Sequence, residues 1–169
     1  MVRMFKVLVG LALTLAIGSF CLAKDAPPDV ASALIIKLLA MEKNLVGGTE
    51  ISIYVIGSPA LAEAFKKAIG IPIGAAKLGK VTSGDGLPAE KPSVVCLADV
   101  SKAATVTEYT RREKVVSVTN SPQAVDAGIA LGVGVGDDGK PVVLLNMAAS
   151  KAEGLNWNPA ILKVAKTVQ

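Results

Sequence analysis

Apolar positions follow two patterns in the first third of the chain, and each pattern predicts one kind of element. Apolar residues at helical spacing predict a first helix that starts after Asp29 and stops at the glycine pair 47–48. The residues of this stripe are Val30, Leu34, Leu38, Met41 and Leu45. The mostly apolar run 50–56 predicts a buried strand. A second helix should follow it, because Ser58 suits an N-cap and Pro59 suits the first helical position.

The middle of the chain repeats this order of strand and helix. Strands are predicted over 93–98 and 115–119, with a helix over 101–112 between them. Another short helix should open at residues 121–122, where serine precedes proline. The segment before the first of these strands is rich in turn residues and predicts only a short strand over 80–82.

The last third of the chain predicts a hairpin followed by helices. Strands over 129–135 and 141–146 are joined by the turn sequence 136–139, and helical segments over 147–153 and 159–166 close the chain. Alternating helices and nearly continuous apolar strands indicate a parallel sheet that is covered on both faces. We therefore predict a single-domain three-layer α/β/α fold with a mostly parallel central sheet and a C-terminal antiparallel hairpin at its edge.

The N-terminus has the layout of a secretory signal peptide. Arg3 and Lys6 precede an apolar run of about 15 residues, and small residues at Cys21 and Ala23 frame a cleavage point. This run is shorter than the ~20 residues that span a bilayer. We predict cleavage after Ala23, which makes 1–23 the signal peptide and 24–169 the mature periplasmic domain, with no membrane insertion after cleavage. The alternatives are a retained anchor and a lipoprotein attached through Cys21.

The charge of the chain argues against nucleic acid as a partner. The full sequence has 18 Lys and Arg against 14 Asp and Glu, a net charge of +4. Cleavage removes Arg3 and Lys6 but no acid, which lowers the net charge to +2. A chain with so balanced a charge, without clusters of basic residues or interleaved aromatic residues, lacks the positive patch that binds the phosphates of nucleic acid.

The composition excludes several classes of catalytic site. The sequence contains no histidine, so Ser-His-Asp and Cys-His arrangements and zinc sites built on cysteine and histidine cannot form. Cys96 is alone after processing and lies in an apolar run, which favours a buried free thiol over a reactive or intermolecular one. The aspartates at 85 and 137–138 lack the spacing of a calcium loop. We expect a non-enzyme without catalytic residues, metal or cofactor.

Two glycine-containing segments are candidates for close contact with another group. Gly132, Gly134 and Gly136 alternate, so all three lie on one face of a strand, without the Gly-x-Gly-x-x-Gly spacing of dinucleotide sites. A helix or another chain packed on that face is the first interpretation, and a bound ligand is the second. Gly57 and Ser58 lie where a strand meets a helix, which indicates either a capped turn or an anion site.

A characteristic order of short motifs runs through the C-terminal half: a strand that ends in asparagine, an alanine pair, Gly-Leu and a last leucine-containing helix. The motifs lie at 116–120, 128–131, 142–149, 154–155 and 161–165. Together they resemble the YfiR family of small periplasmic proteins over 112–165. The resemblance is thinner, but in the same order, over 34–98.

The resemblance implies a regulatory function. YfiR-like proteins have no catalytic residues and repress a membrane-bound diguanylate cyclase of the YfiN type. They bind its periplasmic sensor domain and thereby control cyclic-di-GMP output, biofilm and motility. The chain departs from the family at Cys96, which has no partner for a disulfide, at the aromatic-free segment 38–43, and at Leu144, where an acidic residue is often found. These departures argue against redox control of this protein and predict a different partner surface.

Two functional hypotheses follow. The first is a periplasmic regulatory protein that binds the sensor domain of a membrane protein. Its predicted contact residues are Asn146, Ala149, Leu155 and Trp157. Trp157, between two asparagines, is either part of the core or an exposed contact residue. The second hypothesis is a small-solute-binding module with its pocket near Gly57 and Ser58, at the carboxyl ends of the strands. The oligomeric state, including a homodimer, stays open.

Overall fold

The computed structural model of the chain describes residues 23–168. The elements in chain order are β1 (Lys24–Asp25), α1 (Pro28–Leu39), β2 (Glu50–Ile56), α2 (Pro59–Lys66), β3 (Pro72–Ile73), β4 (Ala76–Gly84), β5 (Val94–Leu97), α3 (Ala103–Glu113), β6 (Val116–Thr119), α4 (Pro122–Asp126), β7 (Leu131–Val135), β8 (Pro141–Asn146), α5 (Met147–Glu153) and β9 (Ala165–Val168). Short 3-10 turns precede α3 and β9. None of the helices within these residues is long and apolar enough to cross a membrane. The predicted signal peptide, apart from Ala23, lies outside the described residues.

The strands form one mixed sheet in the order β3-β4-β2-β5-β6-β7-β8-β9, and β1 pairs separately with β7. The centre is parallel, since β2 pairs in parallel with β4 and β5, and β6 pairs in parallel with β5 and β7. The β7–β8 hairpin is antiparallel, and β9 pairs in parallel with β8. Because β9 lies outside β8, the hairpin does not form the edge of the sheet as the sequence predicted.

Two apolar clusters cover the two faces of the sheet. One joins α1 and α2 to residues such as Ile53 and Cys96, and the other joins α3 and α4 to residues such as Val95. Neighbouring residues of β5 alternate between the clusters, as successive side chains of a strand must. The predicted three-layer α/β fold with a mostly parallel central sheet is therefore confirmed.

The first helix ends at Leu39 instead of at the glycine pair 47–48, and two further predicted elements are wrong in type or length. The segment predicted to contain a short strand over 80–82 is the nine-residue strand β4. The predicted last helix over 159–166 is instead a 3-10 turn at Pro159–Lys163 followed by β9. In the second case pairing with the exposed edge of β8 outweighs the local helical pattern, because strand formation depends strongly on tertiary context.

Candidate binding surface

Asn146 and Ala149, two of the predicted contact residues, are buried where β8 meets α5. Only 6% of Asn146 and 1% of Ala149 are exposed. The Asn146 Oδ1 accepts the N–H of Ala149 at 2.8 Å and so caps α5, while its Nδ2 donates to the carbonyl of Val125 at 3.1 Å. Their burial contradicts the prediction that these two residues contact a partner. Their hydrogen bonds stabilise the fold instead.

Leu155 and Trp157 lie in the segment that follows α5, which we call the strap (residues 154–158). Both side chains are half-buried against the core. The strap lies next to α5, because the indole Nε1 of Trp157 donates to the Ser150 hydroxyl at 3.1 Å and the N–H of Leu155 donates to the Ser150 carbonyl. These two residues therefore keep part of their surface free, which Asn146 and Ala149 do not.

A buried carboxylate that the sequence analysis missed holds the strap in place. Glu42, 1% exposed, follows α1, and its two oxygens accept the N–H groups of Leu45 at 2.6 Å and Asn156 at 2.7 Å. Backbone hydrogen bonds join the same segments, including one from Asn158 to the carbonyl of Met41. No sequence signal marked Glu42, because it lies beside the apolar stripe of the predicted helix.

Glu153 is a second buried carboxylate, and it joins three elements. Its Oε1 accepts the hydroxyls of Thr110 in α3 at 2.7 Å and Ser117 in β6 at 2.6 Å, and its Oε2 accepts the Ser117 N–H at 3.0 Å. Burial raises the pKa of the Glu153 carboxyl, although these hydrogen bonds oppose the shift. The spacing of four from Ala149 could have placed Glu153 on the inner face of α5.

Both of these glutamates line an open cavity of about 660 Å³, which lies at the amino ends of β5 and β6. Lys91, Lys114, Ser93 and Leu155 contribute to its lining. The Lys114 ammonium donates to the carbonyl of Ala152 at 2.8 Å. The oxygens of the two carboxylates are already hydrogen-bonded to the protein, so the cavity offers few unused polar groups other than its lysines.

The alternating glycines of β7 face a helix, as their spacing predicted. A Cβ on Gly132 would collide with the Val125 side chain, and one on Gly134 would lie 2.5 Å from Pro122. Both neighbours belong to α4, which therefore packs directly on the backbone of β7. The first interpretation of this motif, close approach of a helix, is confirmed for Gly132 and Gly134.

Beyond α4 the same face of the sheet is uncovered and forms a groove of about 740 Å³, which we call the C-terminal groove. Its floor comes from β8 and β9, since Val142 lies opposite Gly134, Leu144 lies opposite Gly132, and Lys166 pairs with Leu144. Val142 and Leu144 are half-buried. The lining residues are Ala23, Pro122, Gln123, Asp126, Gly136, Asp137, Asp138, Lys140, Pro141, Val142, Leu144, Lys166 and Val168.

Gly57 and Ser58, the second predicted site, lie between the carboxyl end of β2 and the start of α2, close to Asp99. The Ser58 hydroxyl accepts the N–H of Leu61 at 3.1 Å and caps α2 as predicted. Gly57 has a φ of +83°, and a Cβ there would lie 2.6 Å from the Cβ of Asp99. Hydrogen bonds from Ser101 hold the pKa of Asp99 below its ordinary value. A carboxylate beside Gly57 disfavours an anion, and neither described cavity is lined by Gly57 or Ser58.

Cys96 and the arrangement of the acidic residues can be compared directly with the sequence predictions. Cys96 is fully buried and free, and burial raises the pKa of its thiol. Its burial confirms the prediction of a buried free thiol. A buried thiol with a raised pKa is also a poor nucleophile. Between residues 23 and 168, no cluster of three or more potential ligand side chains is arranged to hold a metal ion.

The chain is similar in fold to several solved structures, but no protein-family model and no curated protein matches it. One structure is a conserved domain protein from Vibrio cholerae, with 19% identity, a TM-score of 0.56, and coverage of 85% of this chain and 60% of that one. Another is an ABC domain from Streptococcus pneumoniae in complex with L-Trp, with 13% identity, a TM-score of 0.54, and coverage of 85% and 62%. This chain thus spans about three-fifths of each, and at such low identity the likeness concerns the fold alone.

Proposed function

We propose that the protein is a periplasmic regulatory binding protein that resembles YfiR and represses a membrane-bound diguanylate cyclase by binding its periplasmic sensor domain. The observation that carries this proposal is the C-terminal groove. Its floor is apolar and half-exposed at Val142 and Leu144, and exposed apolar patches on a folded domain commonly mark interaction sites. Leu144 is also the position where the resemblance predicts an altered partner surface.

The direct test is binding of the mature chain, residues 24–169, to the isolated periplasmic sensor domain of a YfiN-type cyclase. Calorimetry should detect a complex of defined stoichiometry, and expression of the chain in cells that carry the cyclase should lower cyclic-di-GMP. Absence of both a complex and an effect on cyclic-di-GMP would overturn the proposal.

Trp157 allows a sharper test of the strap. Trp157→Ala should weaken capture of the sensor domain if the indole is an anchor, because buried aromatic anchors dominate many interfaces. Trp157→Phe is the matched control, since it keeps an aromatic ring against the core but loses the donor to Ser150. Equal capture by wild type and a folded Trp157→Ala variant would exclude Trp157 as a contact residue.

The second candidate function is a small-solute-binding module, which the ABC domain in complex with L-Trp favours through its similar fold. In this chain a solute would have more room in the cavity lined by Lys91 and Lys114 than at the crowded site beside Gly57. A solute module predicts a rise in melting temperature with a small metabolite and no membrane-protein partner. A screen of amino acids and small anions, with L-Trp included, tests it.

A further inference from the structure

Strand β9 leaves one side of its backbone unpaired in the described part of the chain. It is the last strand in the sheet order, and it pairs with β8 from Ala165 opposite Val143 to Val168 opposite Asn146. The free N–H and C=O groups of such an edge strand are a template for another strand. Side chains on one face of β9 also belong to the floor of the C-terminal groove.

The alternation of backbone groups along β8 identifies which groups of β9 point outward. The N–H of Asn146 donates to the carbonyl of Ala130, on the β7 side. Successive residues of a strand direct their backbone groups to opposite sides, so Leu145 faces β9. Leu145 pairs with Thr167, and in a parallel ladder a residue bonds to the two neighbours of its partner. The N–H and C=O of Thr167 therefore point away from β8.

The side chains beside this edge are of two kinds. Val168 is half-buried, lies opposite Asn146 and contributes an apolar side chain to the groove lining. Lys166 is exposed and takes part in none of the ion pairs among residues 23–168. Both residues lie on the groove face, two positions apart. A strand added outside β9 would place its own side chains next to them, where an acidic residue suits Lys166 and an aliphatic residue suits Val168.

We propose that the partner adds an extended segment to the free edge of β9 as a new strand, and that this segment carries an acidic side chain two residues from an aliphatic one. The inference rests on the proposed function and names the chemistry of its partner. Charge favours a partner over a second copy of this chain, because a copy would bring to this edge a second Lys166 and no acidic side chain from its own β9. A short edge strand that carries lysine is also a natural protection against self-association.

The test compares the affinity of three variants and wild type for the sensor domain of a YfiN-type cyclase. Thr167→Pro removes the outward N–H without removing a bond to β8, and should weaken binding at least tenfold. Thr167→Ala keeps the N–H and is the matched control, so it should bind within about twofold of wild type. Lys166→Glu changes an exposed side chain and should weaken binding several-fold, with the loss reduced at high salt. Melting curves and Trp157 fluorescence verify that each variant is folded.

The outcomes separate this inference from the function on which it rests. Wild-type affinity in folded Thr167→Pro overturns edge pairing and leaves the proposed function intact. If Thr167→Pro does not fold, wild-type affinity in Lys166→Glu overturns the inference in the same way. Failure of the wild type to bind overturns the proposed function and this inference with it. A wild-type dimer that Thr167→Pro dissociates would also overturn the inference, because a second copy would then occupy the edge.

A selection of extended peptides on the immobilised mature chain tests the edge without the cyclase. Seven-residue peptides that bind wild type but not Thr167→Pro should be enriched in an acidic residue two positions from valine, isoleucine or leucine. Enrichment of basic residues at that spacing, or equal selection by both chains, would contradict the inference.

Discussion

The centre of the sheet and its C-terminal end differ in what covers them. At the centre, helices on both faces leave every residue of β5 fully buried. At the carboxyl end of the neighbouring β2, Ser58 caps α2 and Asp99 packs against Gly57. At the C-terminal end, α4 covers β7 but leaves Val142 and Leu144 half-exposed. The connections explain this difference. A parallel crossover usually brings a helix across the sheet, whereas the tight β7–β8 hairpin brings none. Helix α5, on the crossover from β8 to β9, packs against α3 and does not line the groove, so this part of the sheet face remains open.

The largest expected effect is a loss of stability on substitution of Glu153, the buried carboxylate that joins α5 to α3 and β6. Glu153→Ala should lower the free energy of unfolding by about 3 kcal/mol, because the hydroxyls and N–H that Glu153 accepts would be left buried without a partner. Denaturant unfolding measures this change. A loss below about 1 kcal/mol would show that water or a neighbour replaces the carboxylate.

The same residue gives a pH dependence with a defined sign. The pKa of Glu153 is raised in the fold, so the stability it contributes is greatest at low pH and is lost as pH rises from the ordinary carboxyl pKa of 4.5 through the folded pKa. Glu153→Gln keeps the shape of the side chain and removes the titration. As pH rises across that window, the unfolding free energy of wild type should therefore fall relative to that of Glu153→Gln. A difference that does not vary with pH would contradict the raised pKa.

A substitution at the crowded site should affect stability without affecting binding. Gly57→Val combines a β-branched side chain at a φ of +83° with a contact on Asp99, and should cost about 2 kcal/mol. Gly86→Ala is the control, because a Cβ there meets nothing within 4 Å. The affinity for the sensor domain should be unchanged in folded Gly57→Val. A marked loss of affinity would show that the interface includes Gly57 and contradict its location at the C-terminal groove.

The open face should behave in the opposite way. Leu144→Thr suits a strand and removes apolar surface that is only half-buried, so the loss of stability should be about 1 kcal/mol. Partner affinity should nevertheless fall about tenfold, as measured by calorimetry. Unchanged affinity would remove the C-terminal groove from the interface and break the contrast between the two regions.

The sequence predicted the parallel core well and its polar interior poorly. Apolar runs such as 50–56 reveal buried strands directly, and Ser58 with Pro59 marks the start of α2. Strand β4 was underestimated because a bulge beside Ser52 and the glycines at 79 and 84 interrupt its pattern.

The predicted site was only partly useful, for a physical reason. An asparagine at a strand–helix junction serves equally well as a contact or a cap, and only burial distinguishes these roles at Asn146. Glu42 and Glu153 resemble surface residues in sequence, because Asn156 and Ser117, which donate to them, are 114 and 36 positions away. The sequence does not mark Lys166 and Thr167, because their place at the edge of the sheet depends on the pairing of β9 with β8.

Hydrogen–deuterium exchange on the mature chain, with and without the sensor domain, tests the central claim most directly. The account predicts that binding slows exchange at the outward amide of Thr167 and across β8 and β9, while the amides around Gly57 and Asp99 exchange as before. Protection confined to residues 57–60 and 99–102, with β9 unchanged, would contradict it.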